Sequence, residues 1–90
     1  MFWAYAIFSQ NFNKVYVGHT NDISRRIGEH NGLTGFKYWT TRYKPWVLFY
    51  LKSFESRALA MSEEKWLKSG RGRKMLRELL DQGVESAHGG

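Results

Sequence analysis

Apolar and polar positions along the chain follow strand-like blocks first and helical spacing later. Residues 4–9, Ala-Tyr-Ala-Ile-Phe-Ser, are rich in aromatic and β-branched types and predict a strand. Turn formers follow in Gln10-Asn11-Phe12-Asn13, and 14–18, ended by Gly18, predicts a second strand, so the two make a β-hairpin. If Ser9 faces Lys14 across that loop, Tyr16 sits opposite Ile7 with Tyr5 diagonal to it. Two phenols then share one face of the sheet.

Helical spacing begins after Gly18. Thr20, Asn21 or Asp22 can cap a helix over 22–31, in which Ile23 and Ile27, and also Arg26 and His30, stand at i, i+4. Asn31-Gly32 suits a left-handed helix end. Residues 32–45 form a long connection carrying the sole proline, and loops of that length in small domains are often functional. The unbroken apolar run Trp46–Leu51 predicts a strand buried on both faces. A helix starts at Ser53 or Ser56 and runs to about Lys68, where Ser69-Gly70 ends it. A third helix, over about 72–80, places Met75, Leu76, Leu79 and Leu80 at core spacing. The polar, glycine-ended run 81–90 is expected to be a disordered tail. The order β-β-α-β-α-α predicts one small α/β domain over 1–80: a mainly antiparallel three-stranded sheet flanked by helices.

Composition narrows this picture. With 90 residues, 42% hydrophobic and 17% aromatic, the chain can bury one modest core and is not of disordered type. It has no cysteine, which excludes a disulfide scaffold and a zinc finger or ribbon. No apolar run approaches the roughly 18 residues of a membrane span, and the start lacks the basic and apolar regions of a signal peptide. A soluble cytoplasmic protein is expected.

Charge points to a partner. Fourteen Lys and Arg against eight Asp and Glu give +6. Two stretches, between Glu29 and Glu55 and between Glu64 and Glu78, hold basic residues and no acid. Such stretches suit a polyanion, since each neutralised phosphate releases counterions; a solvated basic face is the alternative.

Candidate chemistry gathers in Tyr16, Arg26 and His30, with Tyr5 beside them through the hairpin register. Singly, a histidine at a helix end commonly bonds the last carbonyls, and an arginine there is commonly an exposed cation. Together, a guanidinium beside an imidazole suits a site that holds phosphate and moves a proton.

The hairpin, then Tyr16-Val17-Gly18-His19-Thr20, then Arg26 and His30 on the next helix, resembles the GIY-YIG nuclease family, in particular its small stand-alone bacterial members. It is also similar to the catalytic domain of the excision-repair nuclease subunit. Tyr16-Val17-Gly18 stands for the second half of the family motif. Trp3-Ala4-Tyr5 stands for the first, keeping the tyrosine and lacking the glycine. The resemblance continues through Phe54-Glu55-Ser56-Arg57 to Glu64-Lys65-Trp66-Leu67-Lys68. It implies a divalent-metal-dependent endonuclease, with Glu64 the single protein ligand of Mg2+ or Mn2+ and Arg26 neutralising the scissile phosphate. Tyr16 is then the general base or orients the water, with Tyr5 and His30 assisting and His19 in support. DNA is the implied substrate, DNA repair the implied setting, and a protein partner is compatible with so small a module.

Helical periodicity leaves two glutamates open: Glu63 lies between Leu59 and Leu67, and Glu64 at the edge beside Ala60 and Leu67. Only the resemblance points to Glu64. The long connection interleaves Phe36, Tyr38, Trp39 and Tyr43 with Lys37, Arg42 and Lys44. Rings there can stack on bases while the cations follow the backbone, and Lys65, Lys68, Arg71 and Arg73 extend the track. Trp39 or Tyr43 alternatively lids the core. No base-reading motif is present, so selection by nucleic-acid shape is expected. The alternative function is a nucleic-acid-binding module on the same scaffold that does not cleave.

Overall fold

The computed structural model describes the backbone of residues 1–33 and 39–89, and side chains as far as residue 83. Strands β1 (Phe2–Ser9), β2 (Lys14–Thr20) and β3 (Val47–Phe54) form one antiparallel sheet in the order β2-β1-β3. Helices α1 (Ile23–His30), α2 (Arg57–Leu67) and α3 (Gly70–Gly89), with a 3-10 turn at Trp39–Tyr43, complete the order predicted from the sequence.

The hairpin register follows the loop geometry. Ser9 pairs with Lys14 and Ile7 with Tyr16, as the four-residue loop requires, and Asn13 takes the left-handed backbone (φ 51°) that closes it. Helix α1 starts on Asp22, whose carboxylate accepts from Arg25 N–H at 3.1 Å. It ends in a Schellman arrangement. Leu33 N–H donates to Gly28 C=O and Gly32 N–H to Glu29 C=O, with Gly32 at φ +76°. Helix α2 starts on Ser56, which accepts from Leu59 N–H. A short turn leads into α3, and at Gly72 in its first turn a Cβ would run into Trp66 C=O. Only a hydrogen fits there.

Alternation along β1 builds two cores. Ala4 and Ala6 face α2 and α3 and pack with Val17, Leu67 and Leu76. Tyr5 and Ile7 face α1 and pack with Trp46, Ile23 and Ile27. The strand buried on both faces is therefore β1, not the 46–51 run. Trp46 is buried just ahead of β3, but β3 is an edge strand, with Val47 60% exposed. A continuous apolar run marks burial only when the strand is central, and sequence order did not say which strand would be central. Two further differences are smaller. Gly18 does not end β2, which continues through His19 to Thr20. The α3 backbone stays helical past Asp81, beyond the helix predicted over 72–80, in keeping with the low cost of extending a formed helix.

Candidate active site

The hairpin sets two phenols side by side. In the observed register Tyr5 faces Gly18 and Tyr16 faces Ile7, and the two rings lie 6.3 Å apart. A Cβ at position 18 would stand 2.7 Å from Tyr5 Oη and 2.9 Å from its Cζ. Glycine is what lets the buried Tyr5 phenol lie across β2 toward the sheet edge. Sequence reasoning missed this role, although the register it predicted already put Gly18 opposite Tyr5.

Helix α1 delivers His30 to the same place. Its Nε2 is hydrogen-bonded to Tyr5 Oη at 2.8 Å and its Nδ1 to Thr40 Oγ1 at 2.7 Å. Its ring centre lies 4.8 Å from that of Tyr16. Burial, and then the Arg26 charge, lower the imidazole to about 4. The ring is therefore neutral near pH 7, with one nitrogen donating and the other accepting, so Tyr5, His30 and Thr40 form one polarised chain. Thr40 is buried in the 3-10 turn, its carbonyl accepting from Trp46 Nε1–H at 2.7 Å. Nothing in the pattern of the long connection distinguished it. Burial and the neighbouring Tyr16 raise the Tyr5 hydroxyl, against the opposing pull of Arg26, and Glu64 and Glu29 add to the rise. Tyr5 stays protonated.

Arg26 lies one turn before His30, half-buried, its charge acting on both Tyr5 and His30. Its Nε stands 3.5 Å from Glu29 Oε1, and both atoms are buried without a hydrogen bond. Glu29 was a second omission; its i+3 spacing from Arg26 was the available signal.

Glu64 comes from the opposite face of the sheet. Its Oε1 accepts from His19 Nδ1–H at 2.8 Å and its Oε2 from Lys68 Nζ at 3.1 Å. Partial burial pulls the carboxyl upward, but the hydrogen bonds from His19 and Lys68 and the charge of Lys68 outweigh it, leaving the group below the ordinary carboxylate range. Packing sends the two glutamates to different places. Ala60 and Leu67 are fully buried while Leu59 is 53% exposed, so Glu64 flanks the buried stripe and reaches β2. Glu63 instead accepts from the Tyr50 hydroxyl on β3. The edge strand β2 is thus where the two faces meet: Tyr5, Tyr16, Arg26 and His30 on one side, His19 and Glu64 on the other.

A groove of about 520 Å³ runs along that edge. Of the residues predicted to contact nucleic acid, Trp39, Lys68 and Arg73 line it. Arg42 and Lys44 are exposed at the 3-10 turn, and Lys65 and Arg71 are exposed outside the groove lining. Lys37, Phe36 and Tyr38 lie outside the described residues. Arg77, part of the acid-free basic stretch but not singled out as a contact, also lines the groove. Among the described residues no three His, Asp or Glu side chains cluster as a metal cage, and no helix is long and apolar enough to cross a membrane.

Fold and polar sheet edge together define a small α/β domain with a candidate site at the rim of its sheet. The chain belongs to the GIY-YIG catalytic-domain family, a nuclease family, whose profile matches residues 1–76. A UPF0213 protein of Limosilactobacillus reuteri is 33% identical over 85 residues, covering 93% of this chain and 88% of that protein. One from Haloquadratum walsbyi is 35% identical over 71 residues, covering 79% and 78%. The solution NMR structure of a UPF0213 protein from Bacillus halodurans matches with a TM-score of 0.50 at 32% identity, covering 88% of this chain and 85% of that one. The family implies a nucleic-acid substrate.

Proposed function

We propose that the protein is a divalent-metal-dependent endonuclease that hydrolyses phosphodiester bonds in DNA and selects its substrate by shape rather than base sequence. One observation carries this reading. Groups from β1, β2, α1 and α2 gather around the β2 edge: the Tyr5 and Tyr16 rings lie 6.3 Å apart, His30 bonds the Tyr5 hydroxyl at 2.8 Å one turn after Arg26, and Glu64 bonds His19 at 2.8 Å.

The residues fit a hard cation. Glu64 is ionised at neutral pH and partly exposed, and each of its oxygens keeps a lone pair beyond the bonds to His19 and Lys68. A single carboxylate suits Mg2+ or Mn2+, which retain water and take further ligands from phosphate. When bound, such an ion polarises the phosphoryl oxygen and lowers the pKa of coordinated water. His19 holds the Glu64 carboxylate in place. Arg26, with donors not taken up by Glu29, answers the charge that spreads over the phosphoryl oxygens in the transition state. Tyr5, kept protonated, serves as a hydrogen-bonding group oriented by His30 and Thr40. Proton removal from the attacking water therefore falls to Tyr16, the less buried of the two phenols.

The test uses supercoiled plasmid and branched DNA with Mg2+ or Mn2+, against chelator. Cleavage that needs the metal and is lost in both Arg26→Ala and Glu64→Ala supports the enzyme. Trp3 in the place of the motif glycine favours the second reading, a binding module without activity. Salt-sensitive binding with intact substrate in every lane would select it.

A further inference from the structure

The groove beside Tyr16 combines three surfaces. Its floor is apolar, from Val15 and Leu76. One wall is aromatic: Trp39 is 59% exposed and stands edge-on to Tyr16 with ring centres 5.9 Å apart. The other wall is cationic, from Lys68, Arg73 and Arg77, and no acidic side chain lines the groove among the described residues.

One arginine of that wall is tied to the hairpin loop. Arg73 and Arg77 are i, i+4 on α3, about 6 Å apart along the axis, a like-charge spacing that costs helix stability rather than adding to it. Arg77 is held outward from the helix by the hairpin loop, its Nη1–H donating to Asn13 Oδ1 at 2.9 Å. Asn13 is the loop residue with left-handed backbone. Arg73 has no ion-pair partner among the described residues. An exposed indole beside an apolar floor and a row of cations is the pairing that binds a base by its face and its neighbouring phosphates by charge.

Size and access then decide the form of the ligand. A volume of about 520 Å³ falls in the range of pockets that take one small organic molecule, and it opens at a strand edge. Bases in an intact duplex are stacked and paired, so a duplex could touch the rim with its phosphates but could not lay a base on the floor.

We propose that this groove receives an unpaired nucleotide, its base against Trp39 and the apolar floor and its flanking phosphates on Arg73, Arg77 and Lys68. The substrates are then nucleic acids with a single-stranded position beside the scissile bond, such as flaps, gaps or free single strands, and not intact duplex. The cleavage part of this statement rests on the nuclease reading above; the binding part does not.

The test is fluorescence anisotropy at low salt with chelator, using labelled oligothymidylate, a blunt hairpin duplex and the same hairpin carrying a single-stranded flap. The single strand and the flap are expected to bind at least about tenfold more tightly than the blunt duplex. Trp39→Ala should weaken single-strand binding by about 5- to 100-fold and leave duplex binding unchanged, with Trp39→Phe restoring most of it. Arg77→Ala should lower the salt-dependence slope by about one. Circular dichroism of each variant checks folding, which the exposed position of Trp39 should leave intact. Equal affinity for single strand and duplex, or a Trp39→Ala effect shared by both, overturns the groove assignment. A parallel arm adds Mg2+ or Mn2+. Duplex cut as readily as flap sinks this inference while sparing the nuclease reading; selective binding without cleavage in either metal does the reverse.

Discussion

Ala4 and Ala6 leave one face of β1, Tyr5 and Ile7 the other, and the two cores they enter differ in kind. On the α2 and α3 side Ala4 and Ala6 present only methyl groups, and Leu67, Leu76 and Val17 pack with them. On the α1 side the strand presents a phenol whose hydroxyl must be satisfied. The pocket there accordingly holds His30 and Thr40 in hydrogen bonds of 2.8 and 2.7 Å. The buried members of the first core are all apolar and hold the domain together. The second spends part of its interior on polar groups that stability alone does not require. Four residues of one strand thus separate an apolar interior from a polar one, and the two sides come together only at β2, where His19 and Glu64 reach the rim from the apolar side.

Substitutions in each core should have different signatures. The largest expected loss of stability is on the apolar side: Leu67→Ala should cost about 2–5 kcal/mol in denaturant unfolding, with the surviving folded fraction binding nucleic acid normally. An effect on binding comparable to the effect on stability would mean the faces are not separate. Gly18→Ala comes next. The added methyl collides with the Tyr5 ring, so about 1–3 kcal/mol is expected, together with loss of cleavage, because the phenol must move. Unchanged cleavage would show that the Tyr5 position is immaterial.

Tyr5→Phe removes the partner of His30 Nε2 and should cost about 1–2 kcal/mol while reducing cleavage more than binding. A pH titration sharpens the contrast further. The folded His30 is lowered to about 4 against an ordinary 6.5, so the unfolded chain binds the extra proton between these values. The stability this residue contributes is fully present above about pH 6.5 and is lost as pH falls toward 4. In His30→Gln that part of the stability–pH curve should flatten, whereas Leu67→Ala should keep it. The smallest effect belongs to the surface: Lys65→Ala, exposed and outside the groove, should change single-strand binding less than Arg73→Ala does.

Much of the fold was legible because its signals are local. The four-residue hairpin loop determined the pairing of Ser9 with Lys14, and the pairing of Tyr16 with Ile7 followed. Caps at Asp22 and Ser56 and the left-handed Gly32 marked helix ends through backbone chemistry confined to a few residues. The long apolar run at 46–51 misled because burial depends on which strand becomes central, and β1, with two alanines, carried less obvious hydrophobic weight. Periodicity did not separate the surroundings of Glu63 and Glu64, since Leu59 turned out to be exposed and shifted the helix stripe. Thr40 carried no signal at all: its value comes from a histidine ten residues earlier meeting it in space.

By itself, then, the amino-acid order determined the elements, the hairpin register and the reactive residue types, because turns, caps and periodicity act over distances the local chain can enforce. Tertiary structure alone decided that β1 is central, that His30 is held neutral between Tyr5 and Thr40, and that Glu64 meets His19 on the α2 side of β2. Those outcomes depend on burial and on contacts between segments far apart in the chain, and burial is a property of the packed molecule and not of any stretch of it.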